Sequence, residues 1–298
     1  RILSDPELSA EFERLPRAGV TYVGLNTELT PTDVITVRKA LASAIDRRHV
    51  VTDVLNRPWA ELATSVIPPG LPGYQNDAVG HPFDPVQARA YLTEAGYPGG
   101  TGFPGIELWA DQHNETLIEG IADQWRSHLG ITVTTSTYDW DTYLGILFNT
   151  CSENPGACAY NGYRLGWRLD YFDANNVLDD LFHPDVDGQF TGWDSVRYRQ
   201  LMEMQRSETN QALRTSYLQE ADRILVEDET AVIPINFLDR TALIKPRVSF
   251  DYPPLGEPRF AEWSLEDPYE PNDEWTEAYA IGTRTRSAYV THHRDVDW

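Results

Sequence analysis

Cysteine is scarce in this chain: two among 298 residues, Cys151 and Cys158. A structural zinc site would need two further ligands, and no nearby histidine supplies them. A redox pair would sit closer together. The intervening Ser-Glu-Asn-Pro-Gly-Ala carries an Asn-Pro-Gly that invites a reversal, bringing the sulfurs within bonding reach. This predicts a structural Cys151–Cys158 disulfide and, with it, an oxidising compartment.

Positive charge is also short. Lysine and arginine number 24 against 46 aspartates and glutamates, a net charge of −22. Such a surface repels nucleic acid and anionic lipid, stays solvated, and suits cationic ligands. No apolar run approaches the length that spans a bilayer. Gly-x-Ser-x-Gly, His-Glu-x-x-His, Cys-x-x-Cys and phosphate-loop patterns are missing, so the main hydrolase and metalloenzyme signatures are not met. No catalytic residue, metal or cofactor is expected. Gly100-Thr-Gly102-Phe-Pro-Gly105 has the spelling of a dinucleotide fingerprint, but a helical pattern precedes it, a strand pattern follows, and Pro104 interrupts it. It reads as a loop. His292, His293, Asp295 and Asp297 crowd a polar tail and read as solvated rather than metal-ligating. The chain starts at Arg1 without methionine, signal peptide or lipid-attachment cysteine, and both ends are expected to be cut.

What is present is a core-forming composition, 41% hydrophobic, with nine tryptophans and fifteen tyrosines. Most of these rings are expected in the core, and a few in a cleft. Residues 20–27 read as a strand. Val34, Val37, Leu41, Ala44 and Ile45 predict an amphipathic helix to about Arg48, capped by Thr32 or Asp33 and closed by Arg47 and Arg48. The Pro/Gly-rich stretch 66–82 is loop. Asp84-Pro85 opens a second helix that Gly96 ends. A strand at 106–110, a helix from Leu117 to Leu129 closed by Gly130, and an alternating strand from Ile131 form a βαβ unit, hence a partly parallel sheet. A long helix is predicted at about 210–227. A strand at 231–238 carries Pro234 and belongs at an edge or crossover. After Glu266 the composition turns acidic and turn-rich, which marks a boundary.

The segment Arg-Leu-Gly-Trp-Arg-Leu-Asp-Tyr-Phe-Asp (164–173) sets a cation, an aromatic plate and an anion three residues apart: Arg164, Trp167 and Asp170. It reads as a strand end running into a turn. That arrangement suits a ligand with an amine, a carboxylate and an apolar middle. A surface ion-pair cluster beside a core tryptophan accounts for it equally well.

The order of segments resembles the later part of an extracytoplasmic solute-binding protein of ABC transporters, of the peptide-binding family 5. The matching pieces are Tyr-Val-Gly-Leu-Asn-Thr (22–27), Val-Arg-Lys-Ala-Leu-Ala-Ser-Ala-Ile-Asp-Arg (37–47), Ile-Pro-Pro-Gly (67–70) and Phe-Asp-Pro-Val-Gln-Ala-Arg-Ala-Tyr-Leu-Thr-Glu-Ala-Gly-Tyr (83–97). Gln-Trp-Arg-Ser-His-Leu-Gly-Ile-Thr-Val (124–133), Gly-Trp-x-x-Asp-Tyr (166–171) and the stretch 221–234 complete the set.

The resemblance implies an α/β fold: the second lobe of a two-lobed periplasmic-binding-protein-like (type II, cluster C) architecture with a mixed sheet and an incomplete first lobe. Residues 1–26 become a hinge-crossing segment, 27–230 the second ligand-binding lobe, and 231–265 a return toward the first lobe. It assigns the ligand's amine to Asp170 and, in some members, a ligand carboxylate to Arg164, with Trp167 and Tyr171 shaping the cleft. The chain departs from the family at Asp173-Ala174, where members usually continue Asp-Pro or Glu-Pro.

The implied partners are a short peptide or amine-bearing small solute and an ABC transporter permease, with no nucleic acid and a monomeric state. The implied location is periplasmic or extracellular, with any membrane anchor carried by a lipoprotein N-terminus ahead of Arg1. A secreted hydrolase, or a surface or regulatory protein on the same scaffold, is the alternative. Finally, 267–278 and the closing Asp-Val-Asp-Trp (295–298) resemble the start of a secreted β-sandwich module of the pre-peptidase C-terminal type, so 266–298 is expected to begin a truncated second domain.

Overall fold

A computed structural model describes residues 2–77, 79–151, 154–186, 189–257 and 260–265. The module expected at 266–298 lies outside the described residues. Seven strands are described: β1 (Phe12–Leu25), β2 (Ile106–Asp111), β3 (Val133–Tyr138), β4 (Gly162–Arg168), β5 (Val232–Leu243), β6 (Val248–Ser249) and β7 (Ser264–Leu265). The α-helices are α1 (Pro6–Ala10), α2 (Ile35–Ser43), α3 (Pro85–Glu94), α4 (Glu115–Leu129), α5 (Trp140–Ile146), α6 (Asn175–Leu178), α7 (Val196–Ser207) and α8 (Gln211–Arg223).

The chain divides into a large unit, Arg17–Leu238, and a smaller one built from both flanking segments. In the smaller unit Asp5 caps α1 by accepting from the Glu7 and Leu8 N–H groups, β6 pairs antiparallel with β7, and Arg14 faces Asp239 at 3.5 Å.

The principal sheet has the strand order β3-β2-β4-β1-β5. β2 runs parallel to both β3 and β4, while β1 is antiparallel to β4. This is the mixed sheet that the βαβ pattern predicts, with α4 as the crossover. β5, which carries Pro234, is the last strand of that order, as an edge position for a proline-bearing strand requires.

Strand alternation splits the core in two. On one face Val23, Ile106, Leu108, Ala110 and Val133 pack with the buried sides of α2, α3 and α4. Trp125 of α4 is buried there, its indole N–H donating to the Leu41 carbonyl at 2.9 Å. The opposite face is aromatic. Tyr22 meets Phe182 at 5.1 Å between ring centroids, Tyr163 meets Tyr160 at 5.4 Å and Phe190 at 5.7 Å, all edge-on. These rings are the core positions that the aromatic content predicts.

Two helix ends hold as expected. Asp84 accepts from the Val86 and Gln87 N–H groups at 2.9 Å, and Gly130 closes α4 with φ +70°. The first helix is different. α2 starts at Ile35 behind Val34, which offers no side-chain cap, and ends at Ser43 rather than Arg48. Thr32 donates its hydroxyl to the Leu29 carbonyl, and the Asp33 carboxylate accepts from Thr30. Both are spent closing the preceding turn. Arg47 is buried instead of serving a helix end; its Nε donates to the Pro234 carbonyl at 2.7 Å and its Nη1 to that of His81 at 2.9 Å.

Candidate ligand-binding site

Because β2, β3 and β4 are parallel, Asp111, Tyr138 and Arg168 end at the same edge of the sheet. Ligands of open α/β sheets bind outside such carboxyl ends. The turn that follows β4 stands at that edge. Leu169 extends the β1–β4 pairing by donating to the Ala18 carbonyl at 2.9 Å, and the chain then leaves the sheet at Asp170.

The expected site residues fall into two groups. Arg164 sits within β4 opposite Val23, and Trp167 opposite Val20, so alternation puts their side chains on opposite faces. The three-residue spacing therefore does not gather them on one surface.

Arg164 extends along its strand, and a Cβ at Gly166 would lie 3.8 Å from its Nη2. Its Nη1 approaches Asp111 at 3.5 Å, a loose ion pair. Burial lowers the Arg164 pKa, opposed by the Asp111 charge. Its Nε is buried and has no hydrogen-bond partner among the described residues. Tyr143 donates its hydroxyl to the Arg164 carbonyl at 2.9 Å and so fixes the backbone there.

Trp167, Asp170 and Tyr171 form the second group, and one polar cluster ties them together. The Oδ1 of Asn176, on α6, accepts from the Trp167 indole N–H and from the Asp170 backbone N–H, each at 3.0 Å. The Nδ2 of Asn176 donates to Asp180 Oδ2 at 3.0 Å, and the Tyr171 hydroxyl donates to the same oxygen at 2.6 Å. Partial burial, then the Asp180 carboxylate, push the Tyr171 hydroxyl up to about 12, so it remains a donor. The Asp170 carboxylate is exposed and has no partner among the described residues.

Asp173, which precedes the departing Ala174 in the turn, is held by Arg214 of α8 through two bonds of 2.8 Å. Asn176, Asp180, Arg214 and Asp111 all escaped the sequence reading. They are single polar residues without motif or spacing, and their roles depend on what folding brings beside them.

The predicted cysteine pair is disulfide-bonded, with Cα atoms 5.8 Å apart. Its loop is tethered by the Gly156 N–H, which donates to Glu28 at 3.0 Å.

The model of the bacterial extracellular solute-binding proteins, family 5 Middle, matches residues 3–189. The oligopeptide-binding protein OppA of Bacillus subtilis is 27% identical over 76% of this chain and 41% of its own length. The dipeptide-binding protein of Escherichia coli is 24% identical over 87% of this chain and 48% of its own. The structure of a periplasmic oligopeptide-binding protein from Borrelia burgdorferi superposes with a TM-score of 0.74 at 24% identity, over 89% of this chain and 52% of that one; this likeness speaks for the fold. The chain spans less than half the length of these two curated relatives. With the family match running from the first helix through the β4 turn, the chain belongs to the bacterial extracellular solute-binding proteins of family 5.

Proposed function

We propose that the whole protein captures short peptides, or similar amine-bearing solutes, outside the cytoplasm and delivers them to an ABC transporter permease by closing two lobes on the ligand. Residues 27–230 supply most of the second lobe, and 1–26 with 231–265 are the crossing and return segments. It works as a monomer, without covalent chemistry.

The observation that carries this reading is the unpaired Asp170 carboxylate. The Tyr171 hydroxyl, the Asp173 carboxylate and the Asp170 N–H beside it are all bonded, while the Asp170 carboxylate is exposed with no partner among the described residues. A fixed carboxylate recognises an ammonium with charge-assisted bonds and little entropic loss. Trp167 and Tyr171 provide apolar walls that tolerate varied side chains. Arg164, largely buried and on the opposite face of the sheet from Trp167, is the weaker candidate, for a ligand carboxylate: its pairing with Asp111 is loose and its buried Nε has no partner among the described residues.

Small molecules released by denaturing the natively purified whole protein should be a ladder of short peptides by mass spectrometry. A single sugar or metal chelate would keep the family and overturn the ligand. Replacing Asp170 by Ala should weaken peptide binding by more than about tenfold, the scale of a lost charge-assisted bond; unchanged affinity would remove Asp170 from the site.

A further inference from the structure

Of the three residues expected to meet the ligand near the β4 turn, Trp167 and Asp170 share one anchor, Asn176, and Tyr171 is joined to it through Asp180. The Asn176 side chain is buried, and its orientation follows from its neighbours. Oδ1 faces two N–H donors, from Trp167 and Asp170, while Nδ2 faces the Asp180 carboxylate. The flipped amide would set an N–H pair against two donors and an oxygen against an anion, so only one orientation satisfies the cluster. Asp180 in turn accepts from the Tyr171 hydroxyl. Both lone-pair directions of Oδ1 are used, so the indole of Trp167 and the peptide of Asp170 cannot rotate apart without breaking a bond at the same atom. Asn176 itself is held where α6 begins, its N–H donating to the Asp173 carbonyl at 3.1 Å.

We infer that Asn176, backed by Asp180, is the positioning residue of the ligand site: it presets the distance and direction between the Trp167 ring and the Asp170 carboxylate before ligand arrives. This rests on the reading of Asp170 as the amine anchor. Neither Asn176 nor Asp180 needs to touch ligand. Their contribution is pre-organisation, which raises affinity by removing the cost of ordering the turn on binding.

The variant Asn176→Asp tests this with almost no change of shape. It keeps the Oδ1 acceptor but replaces the amide that donates to Asp180 by a second carboxylate at 3.0 Å. Two carboxylates that close repel when both are ionised, and a shared proton restores the bond at lower pH. Two readouts are taken on the whole protein at pH 8 and pH 5. The first is hydrogen exchange of the Asp170 amide without ligand, corrected for the intrinsic rate. The second is the preference for trialanine over N-acetyl-trialanine.

At pH 8 the variant should exchange Asp170 at least tenfold faster than wild type and lose at least tenfold of the preference. At pH 5 both should return to within about twofold of wild type. In the exposed-site variant Asp180→Ala, adding Asn176→Asp should cost less than about twofold, because the repelling partner is gone. Equal exchange in wild type and Asn176→Asp at pH 8 would overturn the positioning role. So would faster exchange with an unchanged preference, or a loss that persists at pH 5. A wild-type protein that does not distinguish the two peptides would instead sink the amine-anchor reading, while the exchange data still report separately on what Asn176 holds.

Discussion

Arg214 grips Asp173 with both prongs of its guanidinium, Nη1 to Oδ2 and Nη2 to Oδ1, each at 2.8 Å. Its Nε and Nη2 also donate to Gln205, whose amide bonds the Asp179 carboxylate that Arg206 also forks. The β4 turn is thus fastened to α7 and α8 by side-chain bonds.

Replacing Arg214 by Lys keeps the charge and loses the fork. It should cost about 1.5–3 kcal/mol of stability, the range for hydrogen bonds to charged groups, and weaken ligand binding in parallel. The pH dependence has a definite sign. Burial alone would raise the Asp173 carboxyl, but the Arg214 bonds outweigh it and hold its pKa below the ordinary value. The pair's contribution is therefore complete above the ordinary aspartate pKa and is lost as pH falls through the lower folded one. Urea midpoints from about pH 3 to pH 6 should fall toward acid in wild type and less steeply in Arg214→Ala.

Asp222 has the opposite sign. It is fully buried on α8, accepts from the Val66 N–H at 3.0 Å, and has an Oδ2 without a partner among the described residues. Burial raises its pKa to about 7, against the lowering effect of bonds from Ser65 and Val66. Tyr198 and Asp179 face the same region, and Asp222 in turn helps to hold the Tyr198 hydroxyl protonated. The folded chain thus keeps a proton that the unfolded chain releases near the ordinary aspartate value. This contribution is complete below the unfolded pKa and is lost as pH rises from there to about 7, with a limiting slope of about 1.4 kcal/mol per pH unit. Asp222→Asn should flatten that window in urea titrations; an unchanged slope would show that Asp222 titrates normally.

Gly19 lies in β1 behind Trp167. A Cβ there would fall 2.4 Å from the Trp167 carbonyl oxygen and 2.6 Å from a methyl of Leu238. The oxygen belongs to the β1–β4 ladder and cannot yield without parting the strands. Gly19→Ala should destabilise by about 1–3 kcal/mol, as overpacking does, and disturb the ligand turn through Trp167. Gly105→Ala is the control, since its nearest neighbours are 3.8 Å away or more, and it should be close to neutral. Urea unfolding followed by tryptophan fluorescence separates the two.

Much of the fold was legible because it rests on short-range physics. Asp84-Pro85 and Gly130 mark helix ends through bonds to residues within one turn, and the β2–α4–β3 pattern forces a parallel pair. Other elements were missed with the signal in view. α7 buries Tyr198, Leu201, Met202 and Gln205 at helical spacing, but its many charged neighbours mask the stripe. The cap of α2 failed because Thr32 and Asp33 bond backward into their own turn, a choice that composition cannot distinguish from capping.

What the sequence by itself determined is the set of local elements, the reach of Cys151 to Cys158, and membership of family 5 through collinear motifs. It also located the turn proposed to meet the ligand, at the end of a strand. Only the tertiary structure decided which groups there are free. It put Arg164 and Trp167 on opposite faces, closed Asp173 with an arginine 41 residues away, and buried Arg47 against a carbonyl 187 residues away. It also spent Asn176 and Asp180 on their neighbours and left the Asp170 carboxylate without a partner among the described residues. The reason is physical: backbone periodicity and caps act within a few residues, whereas a buried polar group takes whatever partner packing brings within about 3 Å, at any separation along the chain.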